Sequence, residues 1–397
     1  MSEHDQILLE KIERSNGPER IAKARAGRGK VLHILPSTLD LPHLFFHGST
    51  KDIRCRTEYF KSRGLEVDEF LLLRRQTKAI EWLEMFDKHV RPLAQYECFF
   101  VDIPGTYPQV FRYLKRKAPK AQLVFRSHNA EFFHRLDWMR GEKSLAKKWE
   151  FFRQALEGTA GDIQVIRLCD WVFPITEWDT KHYWLPLARM VGATRKIRTV
   201  PYFLPSDRLP PFQSERPVAK GRRNCVCLGT VSKAGGQNVH VGPLAEDQYR
   251  QFSRLVSELP AAVKQEWNFY LTGDVPRGIA LSSEIISTGP LPSPFDALKD
   301  ASVACLLSEL GRGFKTKILD SILCGVPLIL PQELWGRLPA EIQGFCIPMR
   351  STDSQELARC LEASRQMKAP DTRVNEAFSE RANAGLDEAL SWRKPAY

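Results

Sequence analysis

Residues 311–327 read Gly-Arg-Gly-Phe-Lys-Thr-Lys-Ile-Leu-Asp-Ser-Ile-Leu-Cys-Gly-Val-Pro. That order of residue types suits an anionic ligand. Gly311 and Gly313 can take backbone angles closed to other residues. From Phe314 the spacing of Ile318, Leu319, Ile322 and Leu323 predicts a helix with its apolar face inward. Gly325 falls where that helix stops, and Val326-Pro327-Leu328-Ile329-Leu330 predicts a buried strand. A helix start offers free backbone N–H groups and the positive end of the dipole, which suit phosphate. Gly311, Gly313, Phe314, Lys315 and Thr316 are therefore candidate cradle residues. Lys315 and Lys317 add mobile positive charge. Asp320, roughly two turns into the helix, is a candidate acceptor for a ribose diol. A glycine turn with solvated lysines is the plainer alternative. The clustering of glycines, two lysines and a carboxylate at one helix start favours the ligand.

The surrounding elements alternate strand and helix. Val31–Pro36 predicts a first apolar strand, Ser37–Thr50 a loop, Asp52–Arg63 a helix and Leu65–Leu73 a second strand. This is the opening unit of a doubly wound α/β sheet. Ligands in such sheets bind beyond the carboxyl ends of strands, which places Gly48 and its loop among the candidates. His43 and His47 stand four apart, but prolines and apolar neighbours argue against a metal pair. Helices are expected at Thr77–Leu93, Gln109–Lys117 and Ser144–Gln164, with strands at Cys98–Asp102 and Gln122–Phe125. The fourth strand runs into Arg126-Ser127-His128-Asn129-Ala130-Glu131, leaving His128 at a strand's carboxyl end. Leu204–Arg223 is rich in proline, charge and serine and reads as a linker. A second α/β series follows, from Asn224–Thr230 through Trp267–Gly273, Ile285–Leu291, Ala301–Leu307 and the opening motif.

At 397 residues the chain exceeds one ordinary core. The expected divisions are a charged leader (1–29), an N-terminal domain (30–205), a linker (206–223), a C-terminal domain (224–375) and a tail helix (376–397) crossing back to the N-terminal domain. The first 30 residues lack an apolar secretory core, and no apolar run approaches a bilayer span. The nine cysteines are odd in number and scattered, which reads as reduced thiols in a cytosolic protein. The net charge of +11 is uneven: residues 1–200 hold 35 Lys and Arg against 25 Asp and Glu. That half implies an anionic partner, such as a phospholipid surface, a lipid-diphosphate acceptor or an acidic saccharide. No nucleic-acid-binding motif is visible, and nucleic acid is not an expected partner.

The motif resembles the nucleotide-sugar motif of GT-B-fold glycosyltransferases, specifically the large retaining family 4. There a glycine-containing loop opens a helix with an acidic residue, ahead of G-x-P. Arg126–Glu131 is similar to the family's H-N-x-E segment at the cleft edge near the donor sugar. Trp171–Asp179 is similar to its A-D-x-V-x-x-V-S-x-x-D turn, and Pro201-Tyr202-Phe203 to its V-P-N. The resemblance runs diffusely over about residues 31–390. It implies an α/β GT-B architecture, two Rossmann-like domains facing a central cleft. The implied reaction moves a sugar from a nucleotide-diphosphate donor, bound by the C-terminal domain, to a saccharide or lipid-linked acceptor on the N-terminal domain. Gly289 to Leu291 would line the base pocket, Asp320 would bind the ribose, and the Gly311–Lys317 loop would meet the diphosphate. His128 would stand near the sugar.

Two departures stand out. The family's first paired glutamate is replaced by Arg312, and Gly229-Thr230 lacks the arginine of the first C-domain loop, leaving Lys233 as its lysine. Arg312, Lys315 and Lys317 would then stabilise the leaving diphosphate electrostatically. No D-x-D site stands out, so a metal is not expected, and no cofactor beyond the donor is implied. No classical general base is obvious either. In the front-face mechanism proposed for retaining GT-B enzymes, the leaving phosphate can assist acceptor deprotonation. The expected function is a hexosyl-type glycosyltransferase in polysaccharide or glycolipid biosynthesis, cytoplasmic or peripheral on the membrane's inner face. The alternatives are a catalytically impaired GT-B binding or scaffold protein, or another GT-B nucleotide-sugar enzyme such as an epimerase.

Overall fold

The computed structural model describes residues 30–36, 48–72, 76–89, 91–103, 107–210, 221–230, 243–276, 278–310, 313–371 and 373–390. Among them eleven strands form two sheets, parallel throughout. The first contains β1 (Lys30–Pro36), β2 (Glu66–Leu72), β3 (Cys98–Val101), β4 (Gln122–Ser127) and β5 (Trp171–Pro174), in the order β2-β1-β3-β4-β5. The second contains β6 (Arg223–Cys227), β7 (Trp267–Thr272), β8 (Ile285–Gly289), β9 (Val303–Cys305), β10 (Leu328–Pro331) and β11 (Cys346–Met349), in the order β11-β10-β9-β6-β7-β8. Each sheet reverses direction once, between β1 and β3 and between β6 and β9. Such reversals open the crevices in which doubly wound sheets hold ligands.

Burial follows from this layering. Parallel strands are covered on both faces, so they read as nearly continuous apolar runs. Val31 to Leu35, all of β3 and all of β10 are buried. The helix Lys317–Leu323 buries Ile318, Leu319, Ile322 and Leu323 against this layer. One apolar cluster passes through both halves of the molecule, from Val31, Tyr59 and Phe203 to Val226, Ile318 and Leu330. All nine cysteines are buried and unpaired.

Local chemistry sets several element ends. Asp353 caps the helix Ser354–Gln366, accepting from the Glu356 N–H at 2.8 Å. Thr176 accepts from the Asp179 N–H at 2.9 Å and starts the turn after β5. There the chain winds as a π-helix over Thr180–Trp184. That turn buries Tyr183 and Trp184 together, and Trp184 Nε1 donates to Ser127 Oγ at 3.1 Å.

Three expectations shift. The long helix expected over 144–164 is Leu145–Leu168, and a separate helix, Glu131–Gly141, precedes it. Gly48 opens the helix Gly48–Ser62 rather than lying in the preceding loop. The motif helix begins at Lys317, not Phe314. Phe314 packs its ring 5.7 Å from that of Tyr202, and the chain then turns tightly, with Ile318 N–H donating to the Lys315 carbonyl. Asp320 is therefore in the first turn of the helix.

The helix Val374–Leu390 leaves the second sheet and lies on the first domain. The Asn375 amide bonds both backbone groups of Leu204, and Asp387 accepts from Arg63 Nε at 2.7 Å and from the Tyr59 hydroxyl at 3.0 Å. Glu388 pairs with Arg198. The Asp387 pair is partly solvated, so its loss is discounted from the buried value. Asp387→Ala is expected to cost about 1–2 kcal/mol in urea denaturation. Arg63→Ala added to it should cost little more, and an additive second loss would show that the two groups act separately.

Candidate functional site

The two crevices face one another, and the motif sits between them. Gly313 lies against Asn129 so closely that a Cβ there would overlap the Asn129 amide oxygen. A Cβ on Gly48 would stand 2.7 Å from Thr316 Oγ1. Phe314 reaches Tyr202. Glycine at these two positions is thus explained by close approach between the domains.

Of the adjacent residues Lys51 and Asp52, Lys51 ties the two halves together and Asp52 holds its own domain. Lys51 Nζ donates to both Asp320 oxygens, at 2.7 and 2.6 Å, and both side chains are 1% exposed. Burial pushes the Asp320 carboxyl up, and Lys51 pulls it back. The expected ribose acceptor is therefore engaged at both oxygens by an ammonium from the first domain. Asp52 turns the other way and takes a fork from Arg126, with Nε and Nη2 each at 2.8 Å. Arg56 adds a third contact at 3.1 Å. Against the cost of burial, Arg126 and Arg56 hold the Asp52 carboxyl below its ordinary value. Arg126 Nη1 also donates to the Val200 carbonyl at 2.6 Å, so one buried guanidinium fastens β4 to its neighbours.

His128 lies at the end of β4, with Nε2 2.7 Å from Asp102 Oδ1. His33 Nε2 is 3.4 Å from the other oxygen of Asp102. Despite its burial, Asp102 is held well below the ordinary carboxylate range by these two rings. Being ionised, it can only accept, so each ring carries its proton on Nε2. The Nε2 of His128 is therefore engaged within the first domain. Its Nδ1 stands 3.8 Å from Asp52 Oδ2. Asp52, Asp102 and His128 place three ligand-type atoms within 4.8 Å. Arg126, Arg56 and His33 already balance those carboxylates, so the group is an ion network and does not fit a metal.

Lys317 reaches across the mouth of the second crevice. Its ammonium donates to the Leu228 carbonyl at 3.1 Å, to the Gly229 carbonyl, and to Thr230 Oγ1 at 3.2 Å. Burial lowers its pKa to about 8. Lys315 is lowered to about 8 for the same reason, with Asp137 of the first domain opposing the shift. Its Nζ donates to the Leu310 carbonyl at 3.4 Å. Gly289 and Leu291 flank the end of β8, where the Gly289 carbonyl accepts from the Gly273 N–H at 2.8 Å. Both are partly exposed. Gly311, Arg312 and Lys233 lie outside the described residues, as do His43 and His47.

The structure thus gathers Gly48, Gly313, Phe314, Thr316, Lys317 and Asp320 at one place between the domains. His128 and Asn129 close it from the first domain. Lys51, Asp52, Asp102 and Arg126 are part of the same construction and were not singled out by their chemistry. The available signals were a carboxylate directly after β3 and an arginine inside an apolar strand.

The paired Rossmann-like domains and the cleft between them define the GT-B fold. Residues 237–364 match the family model described as Glycosyl transferases group 1. Sucrose-phosphate synthase from Thermosynechococcus elongatus is similar in structure, with a TM-score of 0.58 at 12% identity over 92% of this chain and 97% of that one. HepE from Anabaena, solved with UDP-glucose, gives a TM-score of 0.55 at 12% identity over 91% and 99%. WaaG, a glycosyltransferase involved in lipopolysaccharide biosynthesis, gives 0.53 at 10% identity over 90% and 95%. At these identities the likeness establishes the fold. No curated protein sequence matches the chain. Among the described residues, no helix is long and apolar enough to cross a membrane.

Lys51→Met would strand the Asp320 carboxylate in a dry interface and is expected to cost about 3–5 kcal/mol in urea denaturation. Lys51→Met combined with Asp320→Leu should recover most of that loss. A single variant as stable as the parent would show that the pair is open in solution.

Proposed function

We propose that this chain is a retaining glycosyltransferase of the hexosyl type. It would move a sugar from a nucleotide-diphosphate donor to a saccharide or lipid-linked acceptor in polysaccharide or glycolipid synthesis, at the cytoplasmic face of a membrane. The observation that carries the reading is the Lys317 ammonium. It stands at the reversal point of the second sheet, inside the segment that matches the group 1 family, where doubly wound sheets bind nucleotides. A lysine depressed by burial is relieved by an incoming anion. A diphosphate at this mouth would take Lys317 from the Leu228 and Gly229 carbonyls. The same charge would then stabilise the leaving group without a divalent metal. Lys315 stands two residues away as a second cation. HepE was solved with UDP-glucose, which makes UDP and its sugars the first donors to try.

One observation favours a second reading, a binding or scaffold protein with impaired transfer. Asp320, the residue placed for the ribose, is occupied by Lys51 and sealed from solvent. A donor that needs Asp320 must first break this buried pair.

Thermal-shift measurement against UDP, GDP, ADP and CMP and their sugar conjugates tests the donor binding that the first reading requires. A ligand that binds the native state raises Tm by mass action. One nucleotide diphosphate should raise Tm, and Lys317→Ala should abolish the rise. Because Lys317 loses its proton near pH 8, the affinity should also fall as pH rises through about 8. No rise with any nucleotide would leave the scaffold reading.

A further inference from the structure

The helix Leu145–Leu168 carries two apolar faces, and only one is used. Its inner face presents Phe151, Ala155, Gly161, Asp162, Val165 and Ile166 to the protein, with the Phe151 ring 5.5 Å from that of Trp138 on the helix Glu131–Gly141. At about 100° per residue, Leu145, Trp149, Phe152 and Leu156 fall on a different stripe, spaced four, three and four apart. That stripe faces solvent. Leu145 is 82% exposed, Trp149 68% and Leu156 51%, and the Trp149 and Phe152 rings lie 5.8 Å apart. Isolated exposed apolar residues need no explanation, but three large ones aligned on one stripe, with half-buried Phe152 between them, mark an interaction surface.

The charges around the row indicate what it meets. Arg140, Lys143, Lys147, Lys148 and Arg153 surround its amino-terminal half, against Glu142 and Glu150. Around the helix, Lys148 and Arg153 border the stripe on either side, and Glu150 and Glu157 fall on the flank beyond Arg153. Lys147 and Arg153 do pair with Glu142 and Glu157, at 3.9 and 2.7 Å. Pairs this exposed are weak and yield readily to a charged surface. The first 200 residues carry nearly all the net positive charge, so two copies of this face would repel one another. An apolar row with tryptophan, bordered by lysine and arginine, has the composition of a helix that lies in a lipid headgroup layer.

We infer that the outer face of Leu145–Leu168 docks the protein on an anionic phospholipid surface. Leu145, Trp149, Phe152 and Leu156 enter the headgroup boundary, and Lys148 and Arg153, on the two borders of the stripe, meet lipid phosphates. The site follows from this placement. The helix packs on Glu131–Gly141, which begins three residues after His128 and touches the C-terminal domain through the helix Pro243–Glu258. The docked face therefore holds the cleft beside the bilayer, where a lipid-linked acceptor emerges. This purpose rests on the proposed function; the docking itself does not.

The test is flotation of the full chain with vesicles of phosphatidylcholine alone or mixed with phosphatidylglycerol, at low and high salt. The parent should float with the mixed vesicles at low salt only. Trp149→Ser with Leu156→Ser, and separately Lys148→Glu with Arg153→Glu, should each weaken binding by about tenfold or more. Both variants should keep the parent's Tm and nucleotide response, since Trp149, Leu156 and Arg153 are exposed, Lys148 is half-buried, and none of them lies in the cleft. Absence of flotation in the parent, or undiminished flotation in both variants, overturns the inference. Sedimentation that shows a dimer lost in the Trp149→Ser, Leu156→Ser variant also overturns it, in favour of a second copy on this face. A nucleotide response without vesicle binding would refute the docking and leave the transferase reading standing. Vesicle binding without a nucleotide response would do the reverse.

Discussion

Two consecutive side chains in one helical turn hold the molecule's centre together. Lys51 reaches Asp320 in the C-terminal domain, and Asp52 reaches Arg126 in its own. Neighbours on a helix point about 100° apart, so a single turn can serve two partners. Neither ion tolerates isolation in a dry interior. The first turn of Gly48–Ser62 must therefore stay where Asp320 and Arg126 both reach it. That requirement fixes the motif helix against the first domain. It also accounts for Gly48 opposite Thr316 and Gly313 opposite Asn129, where larger residues would push the halves apart.

Much of the fold was legible because parallel sheets write themselves as buried apolar runs between helices. β1, β3 and the helix Pro108–Lys117 lie within a residue of where periodicity puts them, and β10 starts two residues later than expected. The GT-B pairing of domains was legible through the motif and the segment around His128. The motif helix start was not, because Phe314 looks like the first residue of an apolar face and instead packs on Tyr202. The role of Asp320 was hidden for a different reason. Its partner Lys51 lies 269 residues away, and a sequence shows charge pairing only at local spacings. Asp102 and Arg126 were visible as residues, but nothing in their surroundings announces that they share a network with His128 and Asp52.

The electrostatics of the two halves differ in kind. The first domain's network pairs its charges, Asp52 with Arg126 and Arg56 and Asp102 with His128 and His33, and leaves Arg56 Nε and Nη1 and His33 Nδ1 without hydrogen-bond partners among the described residues. The C-terminal crevice holds unspent positive charge. Lys315 and Lys317 are both depressed by burial, and their ammonium protons rest on backbone carbonyls, which are weak substitutes for an anion. A rigid, balanced wall facing a cationic, exchangeable one suits a site where one side positions and the other side takes up charge.

The nine thiols have a practical side. Every one is buried, and burial drives those of Cys55, Cys98, Cys169, Cys305, Cys324, Cys346 and Cys360 upward, to about 12 for Cys346 and about 11 for Cys360. Electrophiles react with thiolates, and these thiols stay protonated and covered. The folded chain is thus a silent background for maleimide chemistry. A cysteine placed on each domain's surface would take up a dye pair while the native nine stay unlabelled, and the opening of the cleft could be followed by energy transfer in the wild-type core.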